Sequence, residues 1–240
     1  MNYLDNADAH EVSPALHFIH AVSNRIAAAD PLHHVLDETV QFIAELLSCD
    51  SCFIYVREGE SLVMRASMNA HPGILDMLTL KLGEGITGWA AEKAEPVVIS
   101  ERAYQDARFC FINELPEDRF EAFISVPVLS RGRVVAVINV QHREVYRPGI
   151  RDMKLLLTIA HLLAAAIEMG RMEDQISKLS TKLEERKLID RAKGVLQRDL
   201  GINENEAYTM IQKQARQLRR TMGDIAGAVL VSDELRRSRS

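Results

Sequence analysis

The sequence predicts an α+β protein in two parts: an antiparallel sheet flanked by helices, then a long stalk helix leading into a C-terminal three-helix bundle. Three observations predict it. Stretches with apolar residues at helical spacing bracket a middle region of short β-rich runs joined by turn residues; an unbroken helical pattern starts after Pro148 and reaches about Leu200; and two more short amphipathic stretches follow. Hairpin-linked strands between helices, without regular strand–helix alternation, favour an antiparallel sheet.

Val12 to Ala28 and Pro31 to Leu47 read as helices, the second through Leu32, Val35, Leu36, Thr39, Val40, Ile43, Leu46 and Leu47, with Asp30-Pro31 as its cap and first turn. Ser51 to Val56 and Leu62 to Met68 form a hairpin around Arg57-Glu-Gly-Glu-Ser61. His71-Pro-Gly73 breaks the strand and starts a short helix ending near Leu80. The Gly-rich run Leu82 to Ala90 precedes an Ala-rich helical turn, and Pro96 to Ser100 is a strand. Arg102 to Glu121 is polar and long enough for a functional loop. Phe123 to Leu129 and Val134 to Gln141 form a second hairpin around Ser130-Arg-Gly-Arg133.

With 47% hydrophobic residues in 240, the chain can fill its own core. Met1 to Glu11 is polar and acidic, unlike a secretory leader, and the longest apolar run, Leu155 to Ile167, is short for a bilayer span and contains His161. The expectation is a cytoplasmic protein without a membrane partner. Three cysteines, Cys49, Cys52 and Cys110, suit a reducing compartment. Cys49 and Cys52 have the spacing of half a zinc site, but no second close pair accompanies them, so no metal is expected. Charge is unevenly distributed: residues 1–170 hold 14 Lys+Arg and 23 Asp+Glu, a balance of −9, and residues 171–240 hold 15 and 11, a balance of +4. A polyanion partner for the tail alone fits that asymmetry, as does a well-solvated helical surface.

Along the long helix, Leu162, Ala165, Met169, Met172, Ile176, Leu179 and Leu183 alternate steps of three and four residues, the rhythm of a coiled-coil seam, and the phase fails at Arg186. Parallel pairing of two chains through Met169, Met172, Ile176, Leu179 and Leu183 is the expected use of the stripe. Beyond it, Leu188, Ile189, Ala192, Val195, Leu196 and Leu200 share one face, and Lys187, Arg191, Gly194 and Arg198 another, before Gly201 ends the helix. Asn203 with Glu206 reads as the cap of a helix carrying Ala207, Met210, Ile211, Gln214 and Leu218. A last helix, Asp224 to about Leu235, carries Ile225, Ala228, Val229 and Val231. Gly194 in mid-helix sacrifices roughly 1 kcal/mol of helix propensity. Either another helix packs there, or a phosphate or base approaches between Arg191, Lys193 and Arg198. Lys213, Arg216, Arg219 and Arg220 follow one another with no intervening acid and suit phosphate contacts, or simply form a solvated face.

Residues 12–168 resemble a GAF domain through Gly83-Glu-Gly-Ile-Thr-Gly-Trp-Ala-Ala91, Glu95-Pro-Val-Val-Ile99, Ile124-Ser-Val-Pro-Val128 and Gly132-Arg-Val-Val-Ala-Val-Ile-Asn-Val140. Residues 176–235 resemble an ANTAR domain, an RNA-binding module of bacterial transcription antitermination regulators. The match lies in Ile189, Ala192-Lys193-Gly194, Leu196, Gly201, Glu206-Ala207-Tyr208, Ala215, Arg220, Asp224 and Ile225-Ala226. Gln197 and Arg216 depart from it, each standing where the family often has methionine. The stalk proper occupies 169–186, overlapping the second resemblance.

The pair implies a signal-responsive regulator, not an enzyme, that binds structured RNA such as nascent mRNA hairpins through Arg191, Ala192, Lys193, Gly194, Gln197, Arg198, Lys213, Arg216 and Arg220. The first resemblance also implies a small-molecule pocket near Phe53, Tyr55, Met64, Trp89, Tyr104, Phe109 and Phe123, although each of these also suits a plain core. No particular ligand or cofactor is identified. The alternatives are a methionine sulfoxide reductase-like redox enzyme and a dimeric scaffold. The reductases resembled carry a reactive cysteine in the Gly-rich turn, where this chain has Ile86-Thr87.

Overall fold

The computed structural model describes residues 32–69, 74–110 and 119–238, together with His20. The expected helix Val12 to Ala28, the Asp30-Pro31 start and the His71-Pro-Gly73 break lie outside the described residues. The chain divides into two compact units, residues 1–171 and 172–240.

In the first unit, helix α1 (Leu32–Leu47) leads into strands β1 (Ser51–Glu58) and β2 (Ser61–Ser67), then β3 (Thr79–Lys81), helix α2 (Gly85–Lys93), β4 (Val97–Ile99), a 3-10 turn (Ala103–Gln105), β5 (Ala122–Ser130), β6 (Arg133–His142) and the long helix α3 (Ile150–Leu200). The six strands lie in the order β3-β2-β1-β6-β5-β4. Every neighbouring pair is antiparallel. The β5–β6 hairpin turns on Arg131 (φ 48) and Gly132 (φ 76). Two successive left-handed residues make the turn whose twist matches that of paired strands.

Both faces of the sheet are covered. Cys52, Ile54, Val56, Ile124, Val126, Ile138 and Val140 pack against Val35, Leu36, Val40 and Ile43 of α1 and against Leu156, Ile159, Leu163 and Ile167 of α3. The alternate residues, Phe53, Tyr55, Met64, Val137 and Phe123, face α2 and its flanking loops. Burial on both sides is why β5 and β6 read as continuous apolar runs without polar alternation. An 18-residue window of α3 reaches a mean hydropathy of 1.5, enough by composition for a membrane span. The residues that make α3 so apolar include Leu156, Ile159, Leu163 and Ile167, which line this core.

The short helix expected to end near Leu80 is replaced by a turn at Ile74–Met77 and strand β3, which pairs Leu80 with Leu62. Asp76 takes a left-handed φ of 66, which stops helix growth after one turn. Only Leu80 of β3 is buried, the period-two pattern of an edge strand.

Three glycines shape the entry and first turn of α2. Gly83 and Gly85 have φ of 81 and 67, and a Cβ on Gly88 would lie 2.4 Å from the Lys81 carbonyl oxygen. Helix α2 begins at Gly85, with Glu84 in the N-cap position, four residues earlier than a start after Gly88. A buried polar chain fastens it to the sheet: the Ser125 hydroxyl donates to Asn139 Oδ1 at 2.8 Å, and Asn139 Nδ2 donates to the Thr87 hydroxyl at 2.9 Å. All three residues are buried, so removing the central amide leaves polar groups without partners in a dry site. Asn139→Ala is expected to destabilise the fold by about 1–3 kcal/mol. A reduced urea midpoint checks this; an unchanged midpoint contradicts it.

The second unit is a three-helix bundle of the C-terminal part of α3, α4 (Glu204–Leu218) and α5 (Met222–Arg237). Gly201, at φ 67, ends α3. Two capping boxes start the others: Asn203 with Glu206, and Thr221 with Asp224. Glu185 adds a carboxylate at the start of α5, accepting from Gly223 N–H at 3.2 Å. The core is Ala192, Val195, Ile211, Ala226 and Leu230, bordered by Leu188, Ile189 and Leu196.

The packing faces of α4 and α5 agree in part with those expected: Ala207 and Ile211 are buried, and Ile225 and Val229 pack against the core. Ala207, Ile211 and Ala215 are buried on α4, whereas Met210 and Leu218 are exposed; on α5 the buried residues are Ala226, Leu230 and Asp233, and Val231 is exposed. Close helix packing favours the small alanines over the larger apolar residues, and Asp233 tolerates burial because Arg198 and Arg237 both pair with it.

Candidate nucleic-acid interface and sensor pocket

The basic residues of the second unit fall into two groups. One group is spent on holding the bundle together. Lys193 is only 13% exposed and lies 2.7 Å from both Asp190 and Glu204, tying α3 to the first turn of α4. These acids raise its pKa, the Asp190 hydrogen bond most. Arg198 lies 2.9 Å from Asp199 and 2.6 Å from Asp233, and Arg236 and Arg237 complete the cluster. Ala192, placed among the candidate contacts by sequence, has no exposed surface and belongs to the bundle core.

The other group has no acidic partner in contact. Arg191, Lys213, Arg216 and Arg219 are exposed and form no ion pair among the described residues. Lys213 and Arg216 project from the side of α4 opposite its Ala207–Ile211–Ala215 stripe. Arg220, also exposed, helps lower the pKa of Asp224, behind the Thr221 hydrogen bonds that do most of it. Gln197 is half-buried. The site is thus divided over two helices, with Arg191 on α3 and Lys213 and Arg216 on α4.

Gly194 is exposed, and a Cβ built on it would meet nothing within 4 Å. Of the two reasons for a mid-helix glycine, packing by another helix of this chain is therefore removed. A shallow depression of about 700 Å³ lies along the start of α4, lined by Asn203, Glu204, Asn205, Glu206, Thr209, Met210 and Lys213. Two carboxylates against one ammonium make it a poor anion site.

On the stalk, Met169, Met172, Ile176, Leu179 and Leu183 are 39%, 45%, 67%, 66% and 53% exposed. They contrast with the buried Leu163 and Ile167 earlier on the same helix.

In the first unit the aromatic residues singled out by sequence separate into two clusters. Phe53, Tyr55 and Met64 are buried with Leu62, Leu80 and Val137. Phe123 is buried with Ile86, Ala90 and Val97, and half-buried Trp89 and Phe109 pack against that group. The Arg108 guanidinium stacks 4.7 Å over the Trp89 ring and is fixed by Asp106 at 2.8 Å. Tyr104 is half-buried in the 3-10 turn and joins neither cluster. The Thr87–Asn139–Ser125 chain was missed from sequence, because nothing in a local pattern pairs residues so far apart.

The thiols give no activated nucleophile in the core. Burial pushes the Cys49 thiol up to about 11 and raises that of Cys52 well above its ordinary value. Cys110 lies close to the Gly-rich turn: a Cβ on Gly85 would be 3.3 Å from its Cβ.

Comparison with known proteins matches this architecture. The GAF domain family profile matches residues 29–168, and the ANTAR domain profile matches residues 177–230. Among curated proteins, the chain is 25% identical over 153 residues to the phosphoenolpyruvate-dependent phosphotransferase system protein of Escherichia coli K12, covering 63% of this chain and 20% of that protein. It is 43% identical over 63 residues to the transcriptional regulatory protein PdtaR of Mycobacterium tuberculosis, covering 26% of this chain and 31% of that one. The chain therefore spans less than a third of either relative. Among solved structures, the GAF domain of a Coxiella burnetii phosphoenolpyruvate-protein phosphotransferase superposes with a TM-score of 0.62 at 23% identity, covering 68% of this chain and 97% of that one. Free methionine-R-sulfoxide reductase from Neisseria meningitidis superposes at 0.53 with 17% identity, covering 72% and 98%, a likeness of fold alone. The chain belongs to the GAF domain family and carries an ANTAR domain behind its GAF domain.

Proposed function

We propose that this chain binds structured RNA through its ANTAR bundle, acts in transcription antitermination, and does so as a parallel homodimer under control of its GAF domain. The observation that carries the reading is the exposed surface of the bundle: Arg191, Lys213 and Arg216 form no ion pair among the described residues, and a Cβ on Gly194, one turn along α3 from Arg191, would meet nothing within 4 Å. Cations already neutralised by carboxylates gain little from a phosphate, whereas unpaired ones release counterions when it binds. The ANTAR match and the identity to PdtaR over the same region support it further.

Gly194 separates this reading from simple solvation. Gly194→Ala has room for its methyl group and should stabilise the helix by about 0.5–1 kcal/mol. A solvated face gains stability and loses nothing else. An RNA contact against the bare backbone instead predicts a higher unfolding midpoint with weaker binding to hairpins selected from a random pool by the wild-type protein. Unchanged affinity in the stabilised variant contradicts the contact.

Dimerisation follows from the stalk, because Met172, Ile176, Leu179 and Leu183 present an uncovered apolar stripe at coiled-coil spacing. A ligand of the GAF domain can then act on RNA binding only through different affinities for two arrangements of that stalk. Ile176→Asp with Leu179→Asp should leave a protein of single-chain mass by light scattering, with its helix content largely kept. An unchanged mass in the double variant removes the seam.

A further inference from the structure

We propose that Arg171 is the clasp by which the GAF domain holds the start of the stalk, and that the β1–β2 turn it grips relays changes at α2 to that helix. This rests on the reading that the GAF domain acts on the stalk, and adds the residues that carry the action.

Exposure marks the place. Every residue of α3 from Met172 to Glu184 is exposed, whereas Arg171 is half-buried and Ile167 is buried. At Gly170 the helix still runs beside α1, since a Cβ there would lie 3.5 Å from that of Leu32. One residue later, Nη2 of Arg171 donates to the Arg57 carbonyl at 2.6 Å, a contact across 114 residues of sequence. Pairing of β1 with β6 ends at Val56–Ala136, so Arg57 stands just past that ladder and Arg171 supplies a donor to its carbonyl. Glu168, 3.5 Å from Nη1, steadies the guanidinium from one turn earlier. A hydrogen bond from a charged donor is shorter and stronger than a neutral one, which suits a single tether at the end of a domain.

The gripped residue belongs to a turn with a second attachment. Arg57 closes that turn itself: its Nε donates to the Gly59 carbonyl at 2.8 Å, and its Nη2 lies 3.3 Å from Glu60 Oε1. On the far side, the Glu60 carbonyl accepts from Leu82 N–H at 3.4 Å, immediately before Gly83 and the entry to α2. Leu62, the second residue of β2, is buried in one cluster with Ala91 of α2. Helices α2 and α3 cover opposite faces of the sheet, and this turn is bonded to both. A displacement of α2 that moves Leu82 therefore moves the turn, and with it the carbonyl that orients Arg171 one residue before the seam residue Met172. Gly170, a weak helix former, is the hinge on which α3 pivots when the bond is broken. Anything that binds the clasped and released arrangements with different affinity shifts the stalk between them.

Hydrogen exchange in the full chain tests the relay. Thr87→Val removes the hydroxyl that anchors α2 to Asn139 and loosens that helix without touching the turn. It should speed amide exchange both in α2 and at residues 172–180. Arg171→Met should by itself speed exchange at 172–180 by roughly tenfold, the scale of one lost charge-assisted hydrogen bond, and Thr87→Val should then add nothing there. Arg171→Lys keeps a charged donor and should restore both the slow exchange and the response to Thr87→Val. Glu168→Gln keeps the bond to Arg57 and should leave the stalk as in wild type; unchanged exchange in β5 and β6 reports that each variant is folded. Wild-type exchange at 172–180 in Arg171→Met overturns the clasp. A response to Thr87→Val that is equal with and without Arg171→Met also overturns it, while leaving intact the reading that the GAF domain acts on the stalk. Faster exchange in α2 with no change in the stalk in either background overturns that reading as well.

Discussion

One helix, Ile150–Leu200, must satisfy two different cores, and the rest of the molecule is arranged around that demand. Its first part lays Leu156, Ile159, Leu163 and Ile167 on the sheet, and its last part gives Ala192 and Val195 to the bundle. Between them, the apolar residues Met172, Ile176, Leu179 and Leu183 are exposed. A helix that were merely a spacer would carry polar residues there, because exposed apolar stripes lower solubility without adding stability. On the proposed dimeric reading, the uncovered segment is where a second chain pairs.

Charge on the bundle divides in the same manner between internal and external use. The positive balance of the tail overstates what is available to a partner, since Lys193, Arg198, Arg236 and Arg237 are already bound to Asp190, Glu204, Asp199 or Asp233. Those pairs join α3 to α4 and α5. Exposed ion pairs contribute little individually, but Asp233 is 11% exposed in its side chain and shared by two arginines, so loss of both arginines would leave a mostly buried carboxylate unpaired. The residues without an ion pair among those described, which include Arg191, Lys213, Arg216 and Arg219, are fewer than the basic residues counted in the sequence.

Much of the fold was legible in the sequence because the signals were local. The hairpins announced themselves through Gly59 and the Arg131-Gly132 turn, the caps through Asn203 with Glu206 and Thr221 with Asp224, and the long helix through the absence of proline after Pro148. Edge strand β3 was misread because Ile74, Leu75 and Leu78 mimic one helical turn, and only the left-handed Asp76 breaks it. On α4 and α5 the expected Ala207, Ile211, Ile225 and Val229 do pack, but Met210, Leu218 and Val231 are exposed and the close contacts fall to the small Ala215 and Ala226, whose size gives no apolar signal in a periodic pattern. For the candidate site the basic residues were visible, but their pairing was not. Lys193 meets Glu204 and Arg198 meets Asp233 only after the helices dock, so sequence alone counted both as available and included the buried Ala192.

The central claim is that the unpaired cations of the bundle hold phosphates. Its most direct test is the salt dependence of hairpin binding by the full chain, compared between wild type and the triple variant Arg191→Ala, Lys213→Ala, Arg216→Ala. The account predicts a linear fall of log affinity with log salt for wild type, and a slope for the variant shallower by roughly 1 per residue removed. Equal slopes and equal affinities in the two proteins would contradict it.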